Sequence, residues 1–228
     1  MQNIDVDLTS LPENVLEFVQ SVLKTCEENN IPVKMPNAKT VQYAVDGVSC
    51  AGFFDDDPVQ FGTACKGSYK KWLPVFVHES CHMDQWLEKS PFWTNKIPGH
   101  DVNPTVIFDK WITNKLEIDD ATRDAIIDYL VYLELDCERR SVEKIKKYNL
   151  PVDLDVYIRK SNAYAWSYRL VGETRNWDHS ASYSITEVWE AMPGHFDNDY
   201  SIIPDYIRSI MLEHADECDR VNPAEDAA

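Results

Sequence analysis

The stretch SYKKWLPVFVHESCHMDQWLEKS, residues 68–90, decides the fold. It predicts an amphipathic helix, because one stripe of side chains recurs at intervals of three or four residues. That stripe consists of Val75, His78, Glu79, His82 and Trp86. Pro74 fits such a helix within its first turn, where a missing backbone N–H costs little. The segment therefore predicts a helix that carries polar, chemically reactive residues on one face.

The centre of this helix reads His78-Glu79-Ser80-Cys81-His82. Histidines four residues apart project from one helical face, so both imidazoles can reach a single Zn²⁺. Glu79 lies on the flank of that face, where its carboxylate can take a proton from a water molecule activated by the ion and deliver it to a leaving amine. This is the HExxH arrangement of zinc-dependent hydrolases. The motif predicts His78 and His82 as zinc ligands and Glu79 as the general base.

A catalytic zinc site needs a third protein ligand, and the sequence offers several candidates. The metzincin pattern requires a glycine and a histidine where this chain has Gln85 and Glu88, so that class is excluded. His100 in the loop IPGHD is a candidate, in an arrangement similar to that of SprT-like proteases. Glu134 is the better candidate, because it lies on a long predicted helix.

Glu134 and Glu138 are one turn apart on that helix and border its apolar stripe. Burying two ionised carboxylates without partners costs several kcal/mol each, whereas a zinc ion for one and an imidazole N–H for the other offset that cost. We therefore predict Glu134 as the third zinc ligand and Glu138 as the group that orients His78 or His82. The alternative is a solvated helix face on which both carboxylates form ion pairs, with partners among Arg139, Arg140 and Lys144.

The sequence HESCH, followed about 50 residues later by Glu134-Leu135-Asp136-Cys137-Glu138, resembles the gluzincin-type zincin metallopeptidases. In that family the later helix reads E-x-E-A-D or E-x-x-x-D, where the first Glu binds zinc and the acid four residues on supports a histidine. This chain has Cys137 in place of Ala and Glu138 in place of the final Asp. The layout also resembles the minimal gluzincins of the ImmA/IrrE group and uncharacterised phage and bacterial proteins of metallopeptidase type. The resemblance covers residues 41–150.

The resemblance implies an α+β, zincin-like fold, with a small antiparallel or mixed sheet packed on the HExxH helix and on the Glu-bearing long helix. The patterns predict a helix over 12–28, three short strands between 41 and 67 with a turn at Asp46-Gly47, and helices over 118–151, 155–173 and 204–218. Residues 91–117 are predicted as a Pro-rich loop. No repeat or linker divides the chain, so we predict one domain over 1–228, with a catalytic core over 41–150 and a helical C-terminal elaboration over 151–228.

If the resemblance holds, the strand VQFGTACKG, residues 59–67, would be the sheet edge along which an extended peptide substrate adds as a strand. The segment reads equally well as an ordinary edge or central strand. The group that stabilises the developing oxyanion is also open. The available side chains are those of Tyr164, Tyr168, His179 and His195.

The composition excludes several classes of protein. The chain has 228 residues, of which 22 are basic and 39 acidic, and its net charge of −17 opposes a sequence-independent hold on nucleic acid. No apolar run is long enough for a membrane span, and the N-terminus has no export signal. The six cysteines are dispersed, which favours reduced thiols and a cytoplasmic location, that of the host if the chain is phage-encoded. The oligomeric state stays open.

These features predict a zinc-dependent metallopeptidase, an endopeptidase or related amide hydrolase, that acts on a peptide or protein substrate. The alternative is a catalytically silent protein of zincin fold that serves as a binding or regulatory module, although such a protein would have no need of Glu79. A di-iron helical bundle would use Glu79-x-x-His82, but no second Glu-x-x-His is present.

Overall fold

The structure of the chain is a computed structural model that describes residues 2–43, 47–97 and 99–215. Its described part divides into two compact units, each drawn from more than one stretch of the sequence. The first unit comprises residues 2–88 and 139–152, and the second comprises 89–138 and 153–215. The predicted turn at Asp46-Gly47 and the end of the predicted last helix fall partly on residues 44–46 and 216–218, which lie outside the described residues.

The first unit opens with helix α1 (Glu13–Glu28), as the sequence predicts. Six of its residues, which recur every three or four positions, are buried. They are Val15, Phe18, Val19, Val22, Leu23 and Cys26. The helix ends where Asn30 adopts a left-handed backbone with φ 56°, a conformation that asparagine tolerates better than most residues.

Six strands lie in the described part of this unit: β1 (Gln2–Ile4), β2 (Val33–Met35), β3 (Val41–Gln42), β4 (Ser49–Cys50), β5 (Gly52–Asp56) and β6 (Val59–Thr63). Four of them form a mixed sheet in the order β1-β2-β6-β5. Its first three strands are parallel, and β5 is antiparallel to β6. Strands β3 and β4 form a separate antiparallel pair. Sequence patterns missed β1 and β2, because three residues are too few to display a period of two.

Strand β6 lies between β2 and β5, so it is a central strand. Of the two alternatives that the sequence left open, the central one is confirmed, and the role of a substrate-binding sheet edge does not belong to β6. The physical reason is that residues 60–63 of β6 are all buried, which suits a strand with neighbours on both sides. The two outer positions are held by β1 and by β5, which runs into the acidic turn after Asp56.

Helix α2 (Tyr69–Leu87) carries the HESCH motif. It begins near the start of the predicted segment, because the Ser68 side chain accepts a hydrogen bond from the backbone N–H of Lys70 and caps the helix there. The prediction that Pro74 lies in the first turn is wrong, because Pro74 is the sixth residue of the helix. The helix packs against β5, and Gly52 makes this possible, since a Cβ atom at that position would approach Val75 Cγ1 to 2.5 Å.

The second unit is helical. Its elements are α3 (Pro91–Thr94), α4 (Pro104–Ile112), the first part of α5 (Asp120–Lys147), α6 (Leu154–Thr174), α7 (Thr186–Glu190) and α8 (Asp205–Glu213), with a 3₁₀ segment over Trp177–Ser184. The prediction of a Pro-rich loop over 91–117 is wrong for α3 and α4. Pro91 and Pro104 occupy the first helical turn after the capping residues Ser90 and Asn103, a position where proline starts a helix rather than breaking it.

The core of this unit surrounds α6, whose buried Trp166 stacks against Tyr200 with ring centroids 4.6 Å apart. The last residues of α5, from Arg139 onward, belong to the first unit, and the helix is unbroken. The fold class is α+β, as predicted. Among the described residues no helix has the length and apolar character that crossing a bilayer requires. The five described cysteines are free thiols.

Candidate metal centre

The histidines of the HESCH motif meet on one face of α2. The Nε2 atom of His82 lies 3.1 Å from the Nε2 atom of His78, and the two rings are perpendicular, with centroids 4.7 Å apart. His82 is buried and His78 is half-buried. The i, i+4 spacing on a regular helix is sufficient to bring the rings together, as the sequence predicts.

The separation of the two nitrogens fits a shared metal ion. Two imidazole nitrogens bound to tetrahedral zinc at about 2.05 Å lie about 3.3 Å apart, close to the distance in the structure. Neutral imidazoles are ordinary zinc ligands, and two of them leave room in a four-coordinate shell for a third protein ligand and water. The donor set therefore fits zinc.

Gln85 is the partner of the other ring nitrogen of His82. Its Oε1 lies 2.8 Å from His82 Nδ1, and the Gln85 side chain is fully buried one turn further along α2. The sequence predicts Glu138 as the residue that orients His78 or His82, and it did not predict the contact with Gln85. The available signal was the spacing of three residues between His82 and Gln85, which places both side chains on one helical face.

Glu79 is buried within α2, at 8% exposure. Its side chain lies beneath β5, where a Cβ atom added to Gly52 would come within 3.1 Å of Glu79 Cγ. The glycine thus leaves space for a carboxylate on the flank of the histidine face. This position is the one that the sequence predicts for a general base.

The end of α5 is bonded to the back of α2 within the first unit. Lys144 Nζ donates to the carbonyl and the hydroxyl of Ser80, at 3.1 and 2.9 Å, and forms an ion pair with Asp84 at 2.7 Å. Ser141 Oγ lies 3.4 Å from Cys81 Sγ. These contacts involve the two residues between Glu79 and His82, so they fix the rotation of the motif about the axis of α2.

Ser141 shares its face of α5 with Glu134, Cys137 and Glu138. Glu134 and Glu138 are 7% and 6% exposed, so the alternative that they lie on a solvated face is wrong. Cys137 precedes Ser141 by one turn of the unbroken helix.

Two tyrosines of the second unit that the sequence analysis named for the oxyanion are bonded to each other. Tyr164 and Tyr168 have hydroxyl oxygens 2.9 Å apart. Burial, followed by the neighbouring Tyr168 and the Glu134 carboxylate, raises the pKa of Tyr164 well above its usual range. Tyr164 therefore stays protonated and keeps a hydroxyl proton to donate.

The remaining histidine candidates of the second unit lie in other surroundings. His179 has a partner at each ring nitrogen, because Thr174 Oγ1 lies 2.9 Å from Nδ1 and Asn176 Nδ2 lies 3.3 Å from Nε2. His195 is exposed, and His100 interacts electrostatically with Asp119.

Comparison of the chain with models of protein families, with curated proteins and with solved structures finds no match.

Proposed function

We propose that this protein is a zinc-dependent metallopeptidase, an endopeptidase or related amide hydrolase of zincin-like fold. The observation that carries the proposal is the pair of Nε2 atoms of His78 and His82, 3.1 Å apart on a largely buried face of α2 that also bears Glu79. Two ring nitrogens at this distance suit a common cation, and a buried carboxylate beside them suits proton transfer.

His78 and His82 would hold the ion through their Nε2 atoms. Zinc supplies a Lewis acid that polarises the scissile carbonyl and acidifies water. Glu79 would accept the proton of the attacking water and carry it to the leaving amine. Its carboxylate must therefore be ionised when the substrate binds and protonated before the amine leaves. The group that stabilises the developing oxyanion stays a prediction from the sequence, among Tyr164, Tyr168, His179 and His195.

The third ligand would come from α5. Glu134 remains our prediction from the sequence, and its burial supports it, because an ionised carboxylate at 7% exposure needs a cationic partner. Cys137 is the other candidate, because it lies on the same face of α5 as Glu134 and Glu138, and a thiolate is an ordinary zinc ligand. Glu138 would then orient His78 or His82.

An extended substrate would add to β5 rather than to β6. Strand β5 is one of the two outer strands of the four-stranded sheet in the described part of the chain, and α2 with Glu79 packs against it at Gly52. A peptide paired with its outer edge would gain main-chain hydrogen bonds and pass close to the HESCH motif.

The decisive experiment compares the zinc-loaded protein with its Glu79→Gln variant on a mixed peptide library. The amide keeps the size of the side chain but cannot accept a proton, so we expect turnover to fall by about 10²–10⁴-fold while one zinc per chain is retained. Zinc is counted by mass spectrometry of the metal. Glu88→Gln is the matched control, because it removes the same charge from an exposed position at the end of the same helix.

Activity that survives in Glu79→Gln would overturn the role of this residue. A wild-type protein that binds zinc but cleaves no peptide would overturn the peptidase and favour the silent, regulatory alternative. Glu134→Ala and Cys137→Ser, measured in the same way, identify the third ligand as the residue whose loss removes the metal.

A further inference from the structure

The buried amide of Gln85 makes a specific contact with His82. Its Oε1 lies 2.8 Å from Nδ1 of the imidazole, and neither side chain has more than 7% exposure. Both residues lie on α2, three positions apart, so the contact depends only on the helix and on the rotamers that burial selects. Gln85 therefore acts on the ring directly, with no loop or second element between them.

The contact has a chemical consequence for the imidazole. A carbonyl oxygen only accepts hydrogen bonds, so the ring proton of neutral His82 must reside on Nδ1. The lone pair then resides on Nε2, the atom that faces His78 Nε2 at 3.1 Å. The opposite tautomer would place a proton on the atom that has to bind a cation.

We propose that Gln85 is a positioning residue that locks His82 in the Nδ1–H tautomer and aims its Nε2 lone pair at the ion of the metal centre. The effect on metal binding rests on the proposed function, whereas the tautomer itself is a property of the protein without metal. Gln85 prepares the ligand before the ion arrives, which reduces the reorganisation that binding would otherwise require.

A neutral amide differs from the carboxylate that often fills this position. A carboxylate fixes the tautomer as well, but it also makes the imidazole a stronger electron donor and adds negative charge beside the ion. The amide fixes the tautomer without that charge, so the ion keeps more of its Lewis acidity. In a chain whose net charge is already −17, a neutral partner also avoids a further buried carboxylate.

The first test is a long-range ¹H–¹⁵N correlation spectrum of the metal-free protein labelled at histidine, which reports the protonated nitrogen of each ring. His82→Ala identifies the signals of that residue. We expect the Nδ1–H pattern for His82 in the wild type and in Gln85→Glu, and a mixture of tautomers in Gln85→Met. An Nε2–H pattern in the wild type would mean that the amide donates rather than accepts, and would overturn the proposal.

The second test measures zinc affinity by competition with a chromophoric chelator. We expect Gln85→Met to bind zinc about 10–100-fold more weakly than the wild type, and Gln85→Glu to restore the affinity. Gln60→Met is the matched control, because Gln60 is also buried, at 3% exposure, but lies in β6. We expect it to bind zinc as the wild type does.

The outcomes separate this proposal from the proposed function. Equal zinc affinity in Gln85→Met and the wild type, or the same tautomer in both, would overturn the role of Gln85. Failure of the wild type to bind zinc would overturn the metallopeptidase, but the spectrum of the metal-free protein would still decide the tautomer. Weak zinc binding by Gln85→Met with an unchanged His82 tautomer would therefore also count against the proposal.

Discussion

Helices α2 and α6 both bury polar side chains, but they satisfy them in different ways. In α6, Asn162 Nδ2 donates to the carbonyls of Pro193 and His195, at 2.7 and 2.9 Å, and Asn162 Oδ1 accepts from the Tyr200 hydroxyl. The Asn162 side-chain amide thus donates to two carbonyls of the loop that follows α7. In α2, by contrast, a nitrogen of one imidazole faces the same nitrogen of another.

The buried histidines His82 and His179 differ in the same way in the partners of their ring nitrogens. His179 is buried at 9% exposure, as His82 is at 7%, but each of its ring nitrogens has a side-chain partner from the preceding residues. His82 has an amide at Nδ1 and a second imidazole at Nε2. Burial of a polar residue alone therefore does not mark a metal centre. What distinguishes the α2 pair is that two ring nitrogens lie 3.1 Å apart, a separation that one ion could span.

The strongest test of this comparison removes one histidine from each group. His82→Ala deletes a proposed ligand, so zinc affinity should fall by at least about 1,000-fold, as measured by chelator competition. His179→Ala deletes a structural partner, so the zinc content should be unchanged while the free energy of unfolding falls by about 1–3 kcal/mol. Zinc loss in His179→Ala would erase the distinction between the two histidines.

The next effect concerns the amide of α6. Asn162→Ala removes the donor to two loop carbonyls and the acceptor of the Tyr200 hydroxyl, and we expect a loss of about 2–4 kcal/mol in the free energy of unfolding, measured in urea. The zinc stoichiometry should stay at that of the wild type. A stable variant with reduced zinc content would show that α6 contributes to the metal centre rather than to packing alone.

The smallest effect compares two buried serines with the same local bond. Ser80 Oγ donates to the Val77 carbonyl at 2.6 Å, and Ser167 Oγ donates to the Tyr164 carbonyl at 2.7 Å. Ser80 also accepts from Lys144 Nζ. We expect Ser167→Ala to change the free energy of unfolding by less than about 0.5 kcal/mol and Ser80→Ala to lower it by about 1 kcal/mol more, because only Ser80 has a charged donor.

The Lys144→Met variant isolates that donor. In its background, Ser80→Ala and Ser167→Ala should have similar effects, because the bond that distinguishes the two serines is already absent. A Ser80→Ala effect that persists in full without Lys144 would mean that the hydroxyl acts through packing and not through the α5 contact.

Much of the fold follows from local patterns. The periodic apolar positions of α1 and the long pattern that became α5 were predicted, because a helix is specified by its own residues and their neighbours three and four positions away. The failures have local causes as well. Pro91 and Pro104 read as loop residues until their capping partners are considered, and three-residue strands such as β1 are too short to show an alternation.

The sequence by itself determined the reactive face of α2, since 3.6 residues per turn place His78 and His82 side by side in any regular helix. Only the tertiary structure decided the position of β6 within the sheet, the burial of Glu134 and Glu138, and the choice of Gln85 as the partner of His82. Strand order depends on residues far apart in the chain, and a buried rotamer depends on everything packed around it. Neither is encoded in the spacing of a motif.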